Sequence, residues 1–279
     1  MKVVYSQHQI APVQSFSPSA MKPAQVVEQW KLLDPGIEII APVPVNAEQL
    51  SRAHDEQYVR QILCCQRENG FGNNSADVAA SLLYTSGALL TAARLALLEN
   101  TAVAAPVSGF HHAGWNFGGG YCTFNGLVVA ALDLLKQGNA KRVGILDYDY
   151  HHGDGTESIL DELDERNIIH YTAGAEFFRP EHAYEFMQSI PEHIGMMQGC
   201  DIVLYQAGAD PHIDDPLGGF LTTEQLRQRD QYVFEGFKQR GIPIAWVLAG
   251  GYQKPLEKVL EIHNNTYREF MRVWGRKVI

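Results

Sequence analysis

The sequence has few cysteines, and their spacing does not suggest a structural metal site or a disulfide framework. Its 279 residues include Cys64, Cys65, Cys122 and Cys200, and none of them has the CxxC spacing of structural zinc sites and redox motifs. We expect the adjacent Cys64 and Cys65 to be buried thiols on a helix. This cysteine usage favours a reducing compartment, so we expect a cytoplasmic protein.

Long apolar runs and excess positive charge are also lacking. We find no stretch that approaches the roughly 20 apolar residues of a membrane span, and the start, MKVVYSQHQ, has no signal-peptide core. Lys and Arg number 22 against 32 Asp and Glu, which gives a net charge of -10. This balance argues against a nucleic-acid partner. An acidic surface suits cationic substrates such as lysine side chains or polyamines.

Hydrophobic residues make up 46% of the chain, enough for a large core, and we expect residues 1–279 to form a single domain. Short apolar runs alternate with helical stretches, which predicts an α/β fold with a mostly parallel sheet and helices on both faces. In such sheets, ligands bind outside the carboxyl ends of the strands. The predicted strands cover 2–5, 36–41, 102–107, 143–146, 167–171, 202–205 and 242–248.

The densest group of ionisable residues follows the strand at 143–146, in KRVGILDYDYHHGDGTESI. Asp147, Asp149 and His151 alternate by two, so on an extended backbone they share one face. A carboxylate and an imidazole on one face can hold one metal ion. Zinc accepts both kinds of ligand, and a catalytic zinc keeps a position open for water. The segment therefore predicts a metal site.

Three more polar segments follow predicted strands. They are SGFHHAGWNFGGGYCTFNG at 108–126, QAGADPHIDDPLGGF at 206–220 and AGGY at 249–252. Periodicity alone gathers all of them at one edge of the sheet, but it does not establish that they converge on one point. Each also has an ordinary structural interpretation, such as a glycine-rich turn with a packed tyrosine.

Taken together, DYDYHHGDGT, HHAG with YCTFN, GAD and GGY resemble the zinc-dependent histone deacetylase family. That family includes bacterial histone deacetylase-like and acetylpolyamine amidohydrolases and shares its fold with arginase. The matching segments lie between about residue 70 and residue 252. The resemblance implies an arginase/deacetylase-like three-layer α/β/α fold and an enzyme that removes an acyl group, in the first instance acetyl, from an amine.

The resemblance also implies the metal ligands and the tunnel. One Zn²⁺ per chain would be held by Asp149, His151 and Asp210, and a structural monovalent cation such as K⁺ would bind beside Asp147. The residues implied to line a tunnel for the acyl group or its alkyl linker are Gly120, Tyr121 and Phe178.

The catalytic residues implied by the resemblance are His111, His112, Asp147, Asp154 and Tyr252. His112 would be the general base and then the acid for the leaving amine. His111 would be its electrostatic neighbour, and Asp147 and Asp154 would orient His111 and His112, respectively. Tyr252 would donate its hydroxyl to the developing oxyanion.

Two alternatives stay open. One is an arginase-like hydrolase with two manganese ions; the other is a non-catalytic module that binds acylated lysines. The substrate would be an acyl-lysine or a small acylated amine, without a membrane partner, and a homo-oligomer is compatible with the sequence. The N-terminal loop reads SPSAMKPAQ where the family has His-Pro-Glu-x-Pro-x-Arg, so substrate selection at the rim is open. We expect His212 to line that rim.

Overall fold

Residues 1–275, described by a computed structural model, contain seven strands in one sheet of order β2-β1-β3-β7-β6-β4-β5. All neighbouring strands are parallel, which confirms the predicted fold class. That the whole chain is a single domain stays a prediction. The strands are β1 (Lys2–Val4), β2 (Glu38–Ile40), β3 (Ala102–Ala104), β4 (Val143–Asp147), β5 (Ile168–Thr172), β6 (Ile202–Gln206) and β7 (Ile244–Val247).

Most of the α-helices in this part of the chain lie where the periodicity predicts them. Asn46 caps α2, because its side chain accepts a hydrogen bond from the Gln49 backbone N–H. No element was predicted over 183–196, where Pro191 lies inside a helix and argues against one in the sequence. The helices are α1 (Lys22–Leu33), α2 (Ala47–Leu50), α3 (Glu56–Leu63), α4 (Ala76–Glu99), α5 (Gly126–Lys136), α6 (Asp154–Leu163), α7 (Ala183–Met196), α8 (Thr223–Arg240) and α9 (Glu257–Trp274).

The sheet separates two hydrophobic cores. Along β6, Val203 and Tyr205 enter one core while Ile202 and Leu204 enter the other, as the two-residue period of a strand requires. Helices α1, α7, α8 and α9 cover the first core, and α3, α4, α5 and α6 cover the second. A strand buried on both faces is apolar throughout, which explains the uninterrupted runs in the sequence.

Helix α4 corrects the expectation that no segment is long and apolar enough to span a membrane. Ala76–Glu99 passes that test by length and composition, with a mean hydropathy of 1.4 in an 18-residue window of which 56% is buried. Its buried face packs on α5, β3 and β7. These contacts are those of a core helix in an α/β fold, and such helices also pass the test.

The prediction that the adjacent Cys64 and Cys65 are buried on a helix was wrong. Helix α3 ends at Leu63, Cys64 is exposed and Cys65 is half-buried. Cys65 has a φ of 55°, a left-handed conformation that ends the helix. Both thiols therefore lie just beyond the helix rather than inside the core.

The order of the central strands decides where the polar segments meet. Strands β3, β7, β6 and β4 are consecutive neighbours in the sheet. The segments after them carry the double histidine, AGGY, AGAD and DYDYHHGDG, respectively. Four segments spread from His111 to Tyr252 in the chain thus leave adjacent strands at the same edge.

Candidate metal and catalytic site

Asp149, His151 and Asp210 form one compact group. A ligand atom from each lies within 4.8 Å of the other two, and this is the one such group of three found among residues 1–275. His151 Nδ1 is 3.2 Å from Asp149 Oδ1 and 3.1 Å from Asp210 Oδ2. The argument from an extended backbone was partly wrong, since β4 ends at Asp147 and the ligands lie on the turn that follows.

The two carboxylates require a positive charge between them. Both are buried, and burial together with the charge of Asp149 raises the pKa of Asp210 to about 7. Burial would lower the pKa of His151, but its hydrogen bonds to the two carboxylates raise it to about 11. A protonated imidazole or a metal ion supplies that charge. Two carboxylates and one imidazole suit zinc, so the residues fit the ion that the resemblance implies.

Gly250 allows the backbone to approach this group. A Cβ at this position would lie 2.1 Å from Asp210 Oδ2 and 2.9 Å from Asp149 Oδ2. The Gly250 N–H instead donates to Asp149 Oδ2 at 2.9 Å. Any residue with a side chain would occupy the space between the two carboxylates, so the glycine is needed for their arrangement.

Each histidine of the double histidine has a carboxylate partner. His111 Nδ1 is 2.7 Å from Asp147 Oδ2, and His112 Nδ1 is 2.8 Å from Asp154 Oδ1. Helix α6 begins at Asp154, which places that carboxylate in the first turn. The rings of His111 and His112 have their centroids 4.1 Å apart.

The pKa values of the two imidazoles shift in opposite directions. Burial would lower the pKa of His111, but the Asp147 and Asp149 carboxylates raise it to about 9. Burial, followed by the charge of His111, lowers the pKa of His112. A charged imidazole beside a neutral one is an arrangement in which the neutral ring can accept a proton.

Tyr252 lies beside His151 and is buried, with 8% of its surface exposed. Its ring centroid is 6.5 Å from that of His151 and 6.0 Å from that of Tyr121. Burial, and then the charges of Asp210 and Asp149, raise the pKa of its hydroxyl, so the phenol stays protonated and can donate. Asp215, which sequence reasoning did not single out, holds the Tyr252 backbone N–H at 2.8 Å.

Of the three predicted tunnel residues, Gly120 and Tyr121 lie next to His112 and Tyr252, whereas Phe178 lies at the surface. Gly120 has a φ of 52°, and a Cβ there would lie 2.5 Å from His112 Cδ2. Tyr121 lies beside Tyr252 and Phe71. Phe178 is 44% exposed at the outer edge, where its carbonyl accepts a hydrogen bond from the Tyr150 hydroxyl.

Two buried cations behind the site were missed by sequence reasoning. Lys22 Nζ donates to the Ala249 carbonyl at 2.8 Å, and burial lowers its pKa to about 8. Arg229 Nη1 donates to the carbonyls of Tyr148 and Gly208, at 3.1 and 2.7 Å. Arg229 thus joins the segments after β4 and β6. Arg229 lies in no motif, and Lys22 lies in the N-terminal loop SPSAMKPAQ, for which no contact with the segment after β7 was predicted.

Two further histidines, His54 and His212, have structural contacts. His54 is fully buried, accepts a hydrogen bond from the Asn125 N–H at Nε2 and contacts the Gly114 carbonyl at Nδ1, both at 2.8 Å. His212 was expected at the rim but is buried. Its Nε2 is 2.9 Å from Thr223 Oγ1, which fastens the segment after β6 to the start of α8.

The protein has a parallel sheet with helices on both faces and a candidate metal site at the carboxyl edge of that sheet. This places it among the α/β proteins, a class that includes hydrolases. The sequence matches the histone deacetylase domain family model over residues 17–179 and 179–267. The chain therefore belongs to the histone deacetylase domain family.

Two proteins that are similar in sequence to this chain come from bacteria. The chain is 27% identical over 266 residues to an uncharacterized protein of Picosynechococcus sp., covering 85% of this chain and 87% of that protein. It is 27% identical over 175 residues to acetylpolyamine amidohydrolase 1 of Pseudomonas aeruginosa, covering 51% of this chain and 48% of that protein. It thus spans about half the length of the latter.

Solved structures share the fold. The HDA15 HD domain superposes with a TM-score of 0.79 at 18% identity, covering 99% of this chain and 92% of that one. An acetylpolyamine aminohydrolase from Burkholderia pseudomallei superposes with a TM-score of 0.74 at 16% identity, covering 98% and 99%. These structural likenesses show the fold. The family match and the named relatives support a deacetylase or amidohydrolase, and hence a hydrolase.

Proposed function

We propose that the protein is a zinc-dependent amidohydrolase that removes an acyl group, in the first instance acetyl, from an acyl-lysine or another acylated amine. The observation that supports this most is the convergence of one three-residue ligand group, two carboxylate-paired imidazoles and a buried phenol after four adjacent strands. A single ligand group among residues 1–275 favours one ion over the two-manganese alternative.

Asp149, His151 and Asp210 would hold the zinc ion. When bound, the ion supplies Lewis acidity to an amide carbonyl and lowers the pKa of water in its coordination sphere. The buried carboxylates of the ligand group need that charge, as the raised pKa of His151 indicates.

The proton transfers are assigned to the chain's own residues. His112, whose pKa is lowered, accepts a proton from the attacking water and later donates it to the leaving amine. Asp154 orients His112, and the His111–Asp147 pair supplies positive charge next to it. The Tyr252 hydroxyl donates to the oxyanion that develops on the substrate carbonyl. Water and amide thus become a carboxylate and an amine.

The proposal extends to the surroundings of the site. Gly120, Tyr121 and Phe178 would line the path of the acylated chain. A monovalent cation such as K⁺ would bind beside Asp147, whose Oδ1 already accepts hydrogen bonds from Asp149 N and Gln206 Nε2, each at 3.1 Å. We also propose a cytoplasmic location.

A fluorogenic acetyl-lysine peptide, assayed with zinc-loaded and chelator-treated protein, tests the activity. We expect hydrolysis that requires zinc and is blocked by a hydroxamate, and the variant Asp210→Ala should bind no zinc. A panel of acylated lysines and polyamines that the zinc-loaded protein leaves intact would overturn the proposal. One zinc per Asp210→Ala chain at wild-type affinity would overturn the ligand set.

A further inference from the structure

Two cationic side chains lie on exposed aromatic rings next to the proposed site. Lys254 Nζ is 5.2 Å from the ring centroid of Phe16, and Arg179 Cζ is 5.4 Å from that of Phe178. Phe16 and Phe178 are 49% and 44% exposed. A cation over an aromatic ring is attracted by the electron density of the ring face, and both Lys254 and Arg179 are exposed to solvent.

Both pairs lie beside residues of the proposed site, and the surface formed by the exposed rings of Phe16 and Phe178 is called the entrance below. The ring of Phe16 lies nearly parallel to that of Tyr252, with centroids 6.4 Å apart. The carbonyl of Phe178 accepts a hydrogen bond from the Tyr150 hydroxyl, and the Tyr150 ring meets that of His151 edge-on at 5.2 Å. Lys254 thus lies one aromatic ring away from Tyr252, and Arg179 lies two rings, Phe178 and Tyr150, away from His151.

The two charges have no direct counterion. Among residues 1–275, neither Lys254 nor Arg179 forms an ion pair with a carboxylate, although Glu176 and Glu181 lie close to Arg179 in the sequence. The carboxylates nearest the site are engaged elsewhere, because Asp154 pairs with His112 and Asp215 accepts from backbone N–H groups. In a chain of net charge -10, Lys254 and Arg179 therefore place two positive charges without an ion pair beside the proposed site.

We propose that this entrance selects acylated amines that carry a carboxylate on the amine portion, as in an Nε-acyl-lysine with a free α-carboxylate. Lys254 and Arg179 would attract that carboxylate when the acyl end points toward Tyr252. They would repel the free ammonium groups of an acylated polyamine. The inference rests on the proposed function and reverses the expectation, drawn from net charge, that polyamines suit this protein.

Three probes with the same acetylated amine separate these cases. They are Nα-benzoyl-Nε-acetyl-lysine, its primary amide and N-acetylcadaverine, which carry a carboxylate, no charge and an ammonium group, respectively. We expect kcat/KM to fall in that order at low ionic strength, with about a tenfold step from the acid to the amide that lies mainly in KM. Raising the salt to about 0.5 M should reduce the step to about twofold, because exposed charges are screened.

The double variant Lys254→Gln/Arg179→Gln should lose the preference for the acid and keep kcat/KM for the neutral amide within about twofold. Lys238→Gln is the matched control, since Lys238 also lies over an aromatic ring, that of Trp274 at 5.5 Å. It belongs to the far end of α8 and should leave the order of the probes unchanged. Equal rates with all three probes, a preference for N-acetylcadaverine, or a preference that survives in the double variant would overturn the proposal.

Affinity separates this proposal from the proposed function. Hydroxamates with carboxylate, carboxamide or ammonium tails are titrated into the zinc-loaded protein by calorimetry. We expect the carboxylate tail to bind most tightly and the double variant to remove the difference. If no probe is hydrolysed, the proposed function fails. The order of the three affinities still decides whether the entrance selects negative charge. Equal affinities for the three tails would overturn that selection.

Discussion

At the scale of single residues, the site depends on Gly250 because its missing side chain leaves room for the ligand carboxylates. The change Gly250→Ala places a Cβ 2.1 Å from Asp210 Oδ2 unless the backbone moves. We expect zinc affinity to fall by at least about 100-fold, more than the loss of an outer hydrogen bond causes. Competition with a chromogenic chelator measures it.

Gly195 provides the control for this glycine change. It is an exposed residue inside α7, and a Cβ there meets nothing within 4 Å. Gly195→Ala should leave zinc affinity unchanged and stabilise the protein by about 0.5–1 kcal/mol. Wild-type zinc affinity in Gly250→Ala would show that the close approach of this backbone is not required.

Tyr252 provides the second prediction at this scale. Tyr252→Phe should lower kcat by about 10²–10³-fold, because it removes one donor to the oxyanion, while zinc content and the melting temperature Tm stay close to the wild-type values. Tyr171→Phe is the matched control, since the Tyr171 hydroxyl has no hydrogen-bond partner among residues 1–275. An unchanged kcat in Tyr252→Phe would remove this phenol from the mechanism.

At the scale of secondary-structure elements, α8 positions two metal-ligand segments through Arg229. The buried guanidinium donates to the carbonyls of Tyr148 and Gly208 and pairs with Asp230 at 2.9 Å. Lysine keeps the charge but lacks the planar fork that makes all these bonds. Arg229→Lys should therefore weaken zinc binding by about 10–100-fold, as measured by chelator competition.

Thr266 separates this positioning role from general stability. Its hydroxyl donates to Asp230 Oδ2 at 2.6 Å and touches neither of the two carbonyls that Arg229 holds. Thr266→Val should lower Tm without changing zinc affinity. If Thr266→Val and Arg229→Lys reduce zinc affinity equally, the effect of Arg229 is a loss of stability rather than of position.

At the scale of the whole molecule, His54 makes stability depend on pH. Its Nε2 accepts from the Asn125 N–H, so it cannot take a proton without losing that bond, and burial lowers its pKa from 6.5 to about 4. Below pH 6.5 the unfolded chain binds a proton that the folded chain refuses. Stability should fall by about 3 kcal/mol between pH 6.5 and pH 4, with no contribution from His54 above pH 6.5.

The comparison with His54→Gln isolates this residue from the other buried histidines. Glutamine offers a donor and an acceptor but does not titrate. Urea unfolding at several pH values should show a smaller loss in the variant between pH 6.5 and pH 4. Parallel curves for the two proteins would contradict the assignment.

Metal removal should also affect the whole molecule. A ligand present at about 1,000 times its dissociation constant stabilises the folded state by about 4 kcal/mol, which corresponds to about 10 °C in Tm at this size. We expect chelation to lower Tm by about that amount and zinc to restore it. Asp210→Asn should show almost no response in differential scanning calorimetry, and a full response there would contradict the ligand set.

The sequence determined what depends on local chemistry and periodicity. Apolar runs of four to seven residues between helical stretches predicted β4, β6 and β7 and their parallel sheet. The resemblance carried by residues 147–154 and by GAD predicted that Asp149, His151 and Asp210 form one group, and the fold brings these three residues together. The expected extended backbone through His151 and the buried Cys64 were wrong, because strand and helix ends are set by contacts outside the local pattern.

Only the tertiary structure decided the neighbour order β3-β7-β6-β4 and the residues that support the site from elsewhere in the chain. Lys22, Arg229 and Phe16 carry no local signal, since each acts through a partner more than 70 residues away. Side-chain pairing across such distances depends on how the elements pack. A linear pattern of polar and apolar residues does not encode it.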